Sequence, residues 1–488
     1  MLDRQIYIVA GLGYGDEGKG TITEFLTKAF DAKAVVRYNG GPQAAHHVVR
    51  REGLFHCFSQ FGSGSFFSGV QSHLAHTVLV KPSNLFVELA CIREKGAEQI
   101  HERFSLDPAC YLVTPWHAMI GRMEELVRGS NRHGSVGMGV GKAANDRAIC
   151  NPNALIVSDL LNPETIKSKL SNLWEFAQLQ ANLIISNNRS NTQILNTFEY
   201  YKEMTAPLIM YNEYLRSGEL LVNRIKADCS FAHNYFGNIV LEGAQGVLLD
   251  YKYGFSPHVT KTDTSFNSAT SFIETAGLSE SKIFKVGVLR AYATRHGAGP
   301  FVTEDHNLES FYPELHNAQH PWQGAFRLGH FDLVASRYAL RVSGVPDFIA
   351  LTHLDRIGKE SRFLLCNSYS YLGSASSSEL EEFFELESNS KNPVIKEIKY
   401  RTNPSVEYQS KLTKLLVDCV PKSFIEFEGW ANFNHTGMQE LPATLMRFID
   451  YLQSARGLSC PVRILSFGPT LEDKFFIPRS NSFSALAQ

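Results

Sequence analysis

The stretch Gly13-Tyr14-Gly15-Asp16-Glu17-Gly18-Lys19-Gly20 lies between a short apolar run at 5–10 and a segment at 18–30 whose apolar residues have helical spacing. A second apolar run follows at 34–38. The order strand, glycine-rich loop, helix, strand predicts a parallel sheet with a right-handed crossover. Similar apolar runs, each followed by a glycine-bearing or polar loop, recur at 238–241, 283–289, 348–352 and 463–465. We therefore predict an α/β fold with a large, mainly parallel central sheet flanked by helices and a P-loop-like, phosphate-binding N-terminus. Ligands of such sheets bind beyond the carboxyl ends of the strands.

The chain of 488 residues shows no internal repeat, so we predict a single large domain, 1–488. Within it, 151–230 is expected to be a helical subregion, because it is rich in Leu, Ile and Asn and has few strong helix breakers. The charged, serine-rich stretch 373–392 is typical of a surface insertion. The polar tail 479–488 has no periodicity and is expected to be disordered.

Composition excludes several classes of function. The formal net charge is −2, without the basic excess that neutralises a nucleic-acid backbone, so we expect no nucleic-acid partner. The eight cysteines are scattered singly, which indicates neither a disulfide framework nor a zinc site. No stretch approaches the roughly 18 consecutive apolar residues of a membrane span, so no membrane partner is expected. The sequence predicts a soluble, cytoplasmic protein.

Two general nucleotide-binding motifs overlap in the glycine-rich loop, and neither fits cleanly. Gly13-x-Gly15-x-x-Gly18 matches the dinucleotide pattern, but that pattern needs an acidic residue about 20 residues on, where the sequence has Arg37-Tyr38-Asn39. Gly13-x-x-x-x-Gly18-Lys19 matches most of a P-loop, but Gly20 stands where Ser or Thr would hold magnesium, and Thr21 is one place late. Both motifs bring backbone N–H groups and a helix N-terminus to an anion, so a polyphosphate ligand is expected.

Titratable side chains near this loop point to catalysis. The carboxylates of Asp16 and Glu17 would repel a bare phosphate, so they need another task, such as holding magnesium or removing a proton. His46 follows the Gly40-Gly41 turn, a position that favours a catalytic role over that of a polar loop residue. His73 and His76 have a spacing that suggests a metal, but no carboxylate or cysteine accompanies them in the sequence, and we expect no metal there.

The chain resembles the adenylosuccinate synthetases in a series of ordered blocks. The first joins Gly15-Asp16-Glu17-Gly18-Lys19-Gly20 to Val36-Arg37-Tyr38-Asn39-Gly40-Gly41-Pro42-Gln43-Ala44-Ala45-His46. Further blocks are Glu242-Gly243-Ala244-Gln245-Gly246, Pro257-His258-Val259-Thr260 and Ala291-Tyr292-Ala293-Thr294-Arg295-His296-Gly297-Ala298-Gly299-Pro300-Phe301. Weaker echoes are Thr352-His353-Leu354-Asp355, Glu428-Gly429-Trp430 and Ser466-Phe467-Gly468-Pro469. Blocks in the same order from end to end indicate homology.

The resemblance implies a purine-nucleotide ligase. In that reaction GTP, or ATP, phosphorylates O6 of an IMP-like purine monophosphate, and the amino group of an amino acid, aspartate in the family, then displaces the phosphate. The resemblance implies that Asp16 takes the N1 proton and that His46 is the acid bridging O6 and the γ-phosphate. It also implies Mg²⁺ as cofactor, contacted by Asp16 and the backbone carbonyl of Ala45, and a homodimer.

The same resemblance assigns binding residues. The triphosphate would be bound by Gly15, Gly18, Lys19, Gly20, Thr21, Asp355, Ser466 and Gly468. The acceptor nucleotide would be bound by Gln43, Ser135, Val136, Gln245 and Thr260. Asp355 would accept hydrogen bonds from guanine N1 and N2, although a helix-cap or turn role is a serious rival for this residue.

The largest departure from the family is at 320–327, His320-Pro321-Trp322-Gln323-Gly324-Ala325-Phe326-Arg327, which has one arginine where the family has a run. A dicarboxylate normally needs bidentate cationic partners, so the amino donor is less determined than the phosphoryl chemistry. Arg327 is the candidate amino-acid-binding residue, with His320 and Arg295 as helpers. His353 replaces a family lysine, which leaves GTP and ATP open, and Arg147 is a guess for the arginine supplied across the family's dimer.

Two other functions stay open at this point. One is a nucleotide phosphotransferase or hydrolase that has lost ligation, and the other is a non-catalytic nucleotide-binding regulatory protein. The pair Asp16 and His46, together with Lys19, favours an enzyme, because binding alone requires no acid and base. A Rossmann dehydrogenase is the remotest alternative.

Overall fold

The computed structural model of the protein describes residues 4–313, 322–387, 393–430, 433 and 440–477. Its strands, in chain order, are β1 (Gln5–Gly11), β2 (Ala34–Arg37), β3 (His46–Val49), β4 (Phe55–Phe58), β5 (Gln71–Leu74), β6 (Leu79–Val80), β7 (Phe104–Leu106), β8 (Tyr111–Leu112), β9 (Ile239–Glu242), β10 (Lys282–Arg290), β11 (Ala293–His296), β12 (Phe326–Gly329), β13 (Phe331–Asp332), β14 (Phe348–Thr352), β15 (Arg362–Tyr371), β16 (Phe384–Leu386), β17 (Val394–Ile398), β18 (Cys419–Glu428), β19 (Val462–Ser466) and β20 (Lys474–Phe476).

The helices of the same ranges are, in chain order, α1 (Lys19–Ala29), α2 (Pro82–Glu94), α3 (Pro115–Arg128), α4 (Val140–Ala148), α5 (Pro163–Asn187), α6 (Thr192–Met204), α7 (Pro207–Leu221), α8 (Phe231–Asn234), α9 (Asn267–Thr275), α10 (Leu308–Phe311), α11 (Leu333–Ser343), α12 (Leu354–Ile357), α13 (Ser377–Phe383), α14 (Val406–Val417) and α15 (Ala443–Gln453). Within the described ranges, none of these helices combines the length and the apolar character that crossing a bilayer requires.

The central sheet has nine strands in the order β20-β19-β14-β10-β1-β9-β2-β5-β7. Every neighbouring pair is parallel except β19 with β20 at one edge. The predicted α/β fold with a large, mainly parallel sheet is therefore confirmed. β9, which comes about two hundred residues later in the chain, lies between β1 and β2, so the first two strands do not pair with each other.

β1 shows why this sequence forms a central strand. Ile6 and Ile8 pack into one hydrophobic cluster, while Tyr7 and Val9 pack into another. Both faces of the strand are therefore buried, which explains its continuous apolar run in place of the alternation of a half-exposed strand. The short runs at β2, β9 and β14 are buried along their whole length in the same way.

Parallel strands bring their carboxyl ends to one edge of the sheet. At this edge lie the loops that follow β1, β2, β9, β10, β14 and β19, and these loops contain most of the residues expected to bind nucleotides. The hairpin β11–β12 follows β10 and forms a separate two-stranded sheet.

Three further segments had predictions of their own: 151–230, 373–392 and 479–488. Residues 151–230 contain α5, α6 and α7, and α5 and α6 pack against α3. Residues 373–387 contain α13 and β16, whereas 388–392 lie outside the described residues. The tail 479–488 also lies outside the described residues.

Candidate active site

The glycine-rich loop joins β1 to α1 and is held from within by Glu17. The buried Glu17 carboxylate accepts hydrogen bonds through Oε1 from the backbone N–H groups of Gly13 at 3.0 Å and Gly15 at 2.9 Å. Its Oε2 lies 2.5 Å from Nζ of Lys19. Gly18 has a left-handed backbone with φ of 87°, and α1 begins at the next residue. Glu17 thus acts as an internal anion that shapes the loop, and the N-terminus of α1 is suited to attract a phosphate.

Asp16 lies on this loop with a left-handed backbone, φ 60°. Its Oδ2 is 2.7 Å from Nε2 of His296, and Nη1 of Arg290 donates to its backbone oxygen at 3.2 Å. Burial by itself raises the pKa of Asp16, but the hydrogen bond and charge of His296, with the charges of Arg290 and Lys19, outweigh burial and leave this pKa below its usual value. The carboxylate is therefore ionised at neutral pH.

His46 begins β3 and is buried against the start of α1. A Cβ on Gly20 would lie 2.8 Å from the Cβ of His46, so only glycine allows the loop to approach this closely. Nδ1 of His46 is 2.6 Å from Oε1 of Glu242. Glu242 in turn accepts hydrogen bonds from the backbone N–H of Ser63 at 2.8 Å and from its hydroxyl at 2.5 Å. The carboxylate therefore fixes the orientation of the imidazole ring.

The pair His46 and Glu242 also sets the protonation state of the ring. Burial, with the charge of the nearby Arg37, lowers the pKa of His46 to about 4, against the opposing effect of Glu242. Burial raises the pKa of Glu242, but Arg37 and His46 outweigh it, so this pKa lies below its ordinary value. At neutral pH a neutral His46 thus donates its Nδ1–H to an ionised Glu242, and Nε2 carries the lone pair.

Hydrogen bonds from two threonine hydroxyls connect the loop after β1 and the start of α1 to the end of β14 and to the segment that follows β19. Oγ1 of Thr352 donates to the backbone oxygen of Glu17 at 2.7 Å. Oγ1 of Thr21 donates to the backbone oxygen of Pro469 at 3.0 Å. The structure therefore brings the glycine-rich loop and the start of α1 next to the segments that contain Asp355, Ser466 and Gly468.

Asp355 lies in the first turn of α12, and Ser466 is the last residue of β19. The Ser466 hydroxyl and Nζ of Lys474 both donate to the backbone oxygen of Gly468, each at 3.1 Å. Burial raises the pKa of Asp355, and burial also lowers the pKa of Lys474 to about 8. A carboxylate in such surroundings is stabilised in its charged form by a ligand that donates hydrogen bonds to it.

Two buried amide oxygens, Oε1 of Gln43 and Oε1 of Gln245, have no hydrogen-bond partner among the described residues. They flank the turn after β2: a Cβ on Gly40 would lie 3.3 Å from Oε1 of Gln245, and a Cβ on Gly41 would lie 3.0 Å from Oε1 of Gln43. Buried polar atoms without partners are uncommon. The two oxygens therefore mark a place where a ligand with hydrogen-bond donors fits.

The remaining acceptor-binding candidates lie on two neighbouring loops. Ser135 and Val136 precede α4, and the Ser135 hydroxyl accepts a hydrogen bond from the backbone N–H of Gly137 at 3.1 Å. The hydroxyls of Thr260 and Thr262 are 3.3 Å apart. A Cβ on Gly141 would lie 3.6 Å from Lys261, so the start of α4 adjoins the loop of Thr260.

A cavity of about 700 Å³ lies between the segments 129–134, 297–299 and 322–327. The guanidinium groups of Arg122 and Arg132 lie 5.2 and 5.8 Å from the centroid of the Trp322 ring. Segment 297–299 directly follows His296, the partner of Asp16, so the cavity adjoins the phosphate-binding loop. Its position makes it the candidate pocket for an amino donor.

Arg327 lines this cavity, but other groups of the protein occupy its guanidinium. Nε donates to Oε1 of Glu304 at 2.8 Å and Nη2 donates to Oε2 at 2.5 Å. Nη1 donates to the backbone oxygens of Gly297 and Gly299, both at 3.0 Å. A carboxylate from outside that binds Arg327 would have to compete with Glu304.

The other arginine candidates are also engaged with backbone groups. Arg295 is buried and donates to the backbone oxygen of Ala298 at 3.2 Å and of Pro300 at 2.8 Å. Nη1 of Arg147 donates to the backbone oxygen of Thr77. His320 lies outside the described residues.

His73 and His76 do have a carboxylate beside them, Asp228, which is distant in the sequence. Nε2 of His73 is 2.8 Å from Oδ1 of Asp228, and Nδ1 of His76 is 2.7 Å from Oδ2. Burial raises the pKa of Asp228, but the hydrogen bonds from both histidines outweigh it and lower this pKa to about 2. In the part of the chain that the structure describes, no group of three or more His, Cys, Asp or Glu residues is arranged to hold a metal.

Glu242 and His296 both stand within blocks that resemble the family, but no role was predicted for either residue. Glu242 is the last residue of β9, so an acidic residue directly after a buried apolar run was the available signal. His296 carried no such signal, because its contact with Asp16 joins two segments 280 residues apart.

Comparison with known proteins adds to this geometry. The family model of adenylosuccinate synthetase matches residues 8–475. The adenylosuccinate synthetase of Thermoplasma volcanium is 30% identical over 470 residues, which cover 94% of each chain. The structure of fully ligated adenylosuccinate synthetase from Plasmodium falciparum superposes with a TM-score of 0.75 at 20% identity, over 97% of this chain and 99% of that one. The cyanophage S-2L succinoaminodeoxyadenylate synthetase, bound to dGMP and to dATP as an energy donor, superposes with a TM-score of 0.50 at 13% identity, over 99% and 98%.

Proposed function

The chain belongs to the adenylosuccinate synthetase family and is a carbon–nitrogen ligase of purine nucleotides, and from this premise we propose how its residues perform the reaction. A nucleoside triphosphate phosphorylates O6 of a purine monophosphate, and the amino group of an amino acid displaces that phosphate. One observation carries the proposal: the loop that contains Asp16 leads into Gly20, which lies so close to His46 that a Cβ would not fit, and Glu242 holds the ring of His46.

In the first step Asp16 takes the proton from purine N1. The electron pair of the N1–H bond moves through the ring to O6, which attacks the γ-phosphorus, and the bond between the γ-phosphorus and the β-phosphate oxygen breaks. Asp16 suits this role because its lowered pKa keeps it ionised at neutral pH. Removing the proton makes O6 a stronger nucleophile.

His46 serves the same step by donating a hydrogen bond to O6 and the γ-phosphate. The buried ring is neutral at neutral pH because its pKa is about 4. The negative charge of a bound triphosphate favours the imidazolium form, and Glu242 stabilises the positive ring through Nδ1. His46 then offers Nε2–H to the charge that develops on the transferred group.

In the second step the amino group attacks C6, and the phosphate leaves with O6 and takes up the proton that the amine loses. The new C6–N bond replaces the C6–O6 bond, so the products are the amino-acid adduct, inorganic phosphate and the nucleoside diphosphate. Phosphorylation is what turns an amide-like oxygen into a leaving group.

The residues near the loop fit Mg²⁺. The ion prefers oxygen ligands and is usually held by one or two carboxylates together with substrate phosphates. The Asp16 carboxylate, which is partly exposed, and the backbone carbonyl of the exposed Ala45 would supply the protein's share. When bound, Mg²⁺ offsets the charge of the phosphates.

We assign the binding residues by the same reasoning. The triphosphate is bound by Gly15, Gly18, Lys19, Gly20, Thr21, Asp355, Ser466 and Gly468, and the acceptor nucleotide by Gln43, Ser135, Val136, Gln245 and Thr260. The start of α1 adjoins the segments that contain Asp355 and Gly468, and the amide oxygens of Gln43 and Gln245 have no partner among the described residues; both observations support these assignments. Aspartate is the proposed amino donor, with Arg327 on the wall of its pocket. Family membership also leads us to propose a cytoplasmic homodimer.

The test is to incubate the purified protein with Mg²⁺, GTP or ATP, a purine monophosphate and aspartate, and to analyse the products by mass spectrometry. IMP and dGMP should both be tried as acceptors, because the cyanophage relative is described with dGMP and with dATP as its energy donor. We expect a mass that corresponds to the acceptor joined to aspartate with loss of water. Turnover of triphosphate without an adduct for any amino acid would favour a phosphotransferase or hydrolase instead.

A further inference from the structure

Among the residues that the structure describes, a single side chain orients the carboxylate of Asp16. Its backbone is fixed by the loop and by Arg290, but rotation about the side-chain bonds is limited by the contact between Oδ2 and Nε2 of His296 at 2.7 Å. Among the described residues, no other side chain hydrogen-bonds this carboxylate. Because an ionised carboxylate only accepts hydrogen bonds, Nε2 of His296 is the donor.

The surroundings of His296 indicate that its hydrogen bond to Asp16 is the reason for a histidine at this position. The residue ends β11, opposite Phe326 of β12, and the two rings meet edge to face with centroids 4.7 Å apart. Nδ1 of His296 is buried and has no partner among the described residues. An unpaired buried polar atom costs free energy, so packing alone would be served better by an apolar side chain. The gain that offsets this cost is the hydrogen bond to Asp16.

We propose that His296 is a positioning residue that orients Asp16 for proton removal. By holding Oδ2, it leaves Oδ1 as the oxygen that faces purine N1. The arrangement is that of a base oriented by a third group, which is common in acid and base catalysis. The inference rests on the proposed role of Asp16 as the base.

The expected effect of losing this contact is on the rate and not on binding. A misplacement of about 1 Å at a reacting group slows catalysis by roughly a hundredfold. His296→Leu should therefore lower kcat for triphosphate turnover by about 10-fold to 100-fold. The KM values for triphosphate and acceptor should stay within about twofold, because the side chains that His296 contacts, Asp16 and Phe326, are not among the residues proposed to bind either nucleotide.

Conservative variants separate positioning from structure. The amide N–H of Gln reaches as far as Nε2 of histidine, so His296→Gln should recover most of kcat, whereas the shorter His296→Asn should behave like His296→Leu. If His296→Leu fails to fold, the comparison of His296→Gln with His296→Asn still tests the positioning role.

A matched control is the pair His330 and Asp305, whose atoms Nε2 and Oδ2 are 3.1 Å apart. Its histidine is 16% exposed, against 20% for His296, and follows Gly329, which lies at the opposite end of the β11–β12 pairing from His296. His330→Leu should leave kcat unchanged.

The outcomes distinguish this inference from the proposed function. If Asp16→Asn abolishes turnover while His296→Leu keeps the kcat of the unmodified chain, or raises it, the positioning role is wrong and the base assignment stands. Equal loss in the Gln and Leu variants would also overturn the positioning role. If Asp16→Asn turns over normally, the proposed base itself is wrong.

Discussion

The two halves of the candidate site are built on different parts of the fold. The activation half, defined as the loop 13–20 with His46 and Glu242, is attached to the ends of β1, β2 and β9 in the middle of the sheet. The donor half, defined as segments 297–299 and 322–327 with Glu304, belongs to the hairpin β11–β12 and its surroundings, outside the central sheet. Neighbouring buried strands fix the first half, whereas the second half can change in sequence without disturbing the sheet. The fold therefore holds the proposed activation half more firmly than the proposed donor half.

The largest effect is expected in the activation half. Asp16→Asn removes the base and should lower triphosphate turnover by about a thousandfold, within the usual range for a general base. Triphosphate binding, measured by calorimetry, should be retained. Asp31→Asn is a matched control, since Asp31 also has a left-handed backbone, φ 46°, but is exposed and paired with Lys33. Equal turnover in the two variants would contradict the assignment.

Glu242→Gln should have the next largest effect, about a hundredfold loss of kcat, because the ring of His46 loses the charge that stabilises its protonated form. His47→Asn alters the neighbouring residue of β3, whose side chain points to the other face of the strand. Steady-state kinetics should therefore show a loss of kcat for Glu242→Gln and a much smaller change for His47→Asn. A normal rate for Glu242→Gln would show that His46 acts without its carboxylate partner.

Glu304→Gln probes the donor half. Removing the charge that competes for Arg327 should lower the KM for aspartate about fivefold, corresponding to roughly 1 kcal/mol for a partly exposed ion pair. The KM values for triphosphate and acceptor should not change. A higher KM for aspartate would mean that Glu304 supports Arg327 instead of competing for it.

The smallest effect on activity is expected from Asp228, which lies in neither half. Asp228→Asn should leave kcat unchanged but lower the free energy of unfolding at pH 7 by about 1–3 kcal/mol, because His73 and His76 lose their shared acceptor. The pKa of Asp228 is lowered from 3.8 to about 2 in the folded chain, so its stabilising effect is present above about pH 4 and is lost as the pH falls towards 2. Urea unfolding should show that the original chain and Asp228→Asn differ less in free energy of unfolding at pH 3 than at pH 7. An equal difference in free energy of unfolding at the two pH values would contradict the lowered pKa of Asp228.

The sequence predicted the strands and the loop of the activation half better than the contacts within the site, for physical reasons. β1 is apolar on both faces because both are buried, so its position, and the loop that follows it, could be recognised. Asp16 and His46 were assigned through a resemblance carried by local motifs. The contacts between Glu304 and Arg327, and between His296 and Asp16, join residues brought together only by tertiary packing. No local pattern marks such pairs.

The most direct test of this account is the fate of the purine oxygen. An acceptor nucleotide labelled at O6 with oxygen-18 should be incubated with triphosphate, Mg²⁺ and the amino donor, and the inorganic phosphate analysed by mass spectrometry. We predict that the oxygen-18 label appears in the inorganic phosphate, in a molar amount equal to that of the adduct formed. Unlabelled phosphate, with the label retained in the purine, would contradict it.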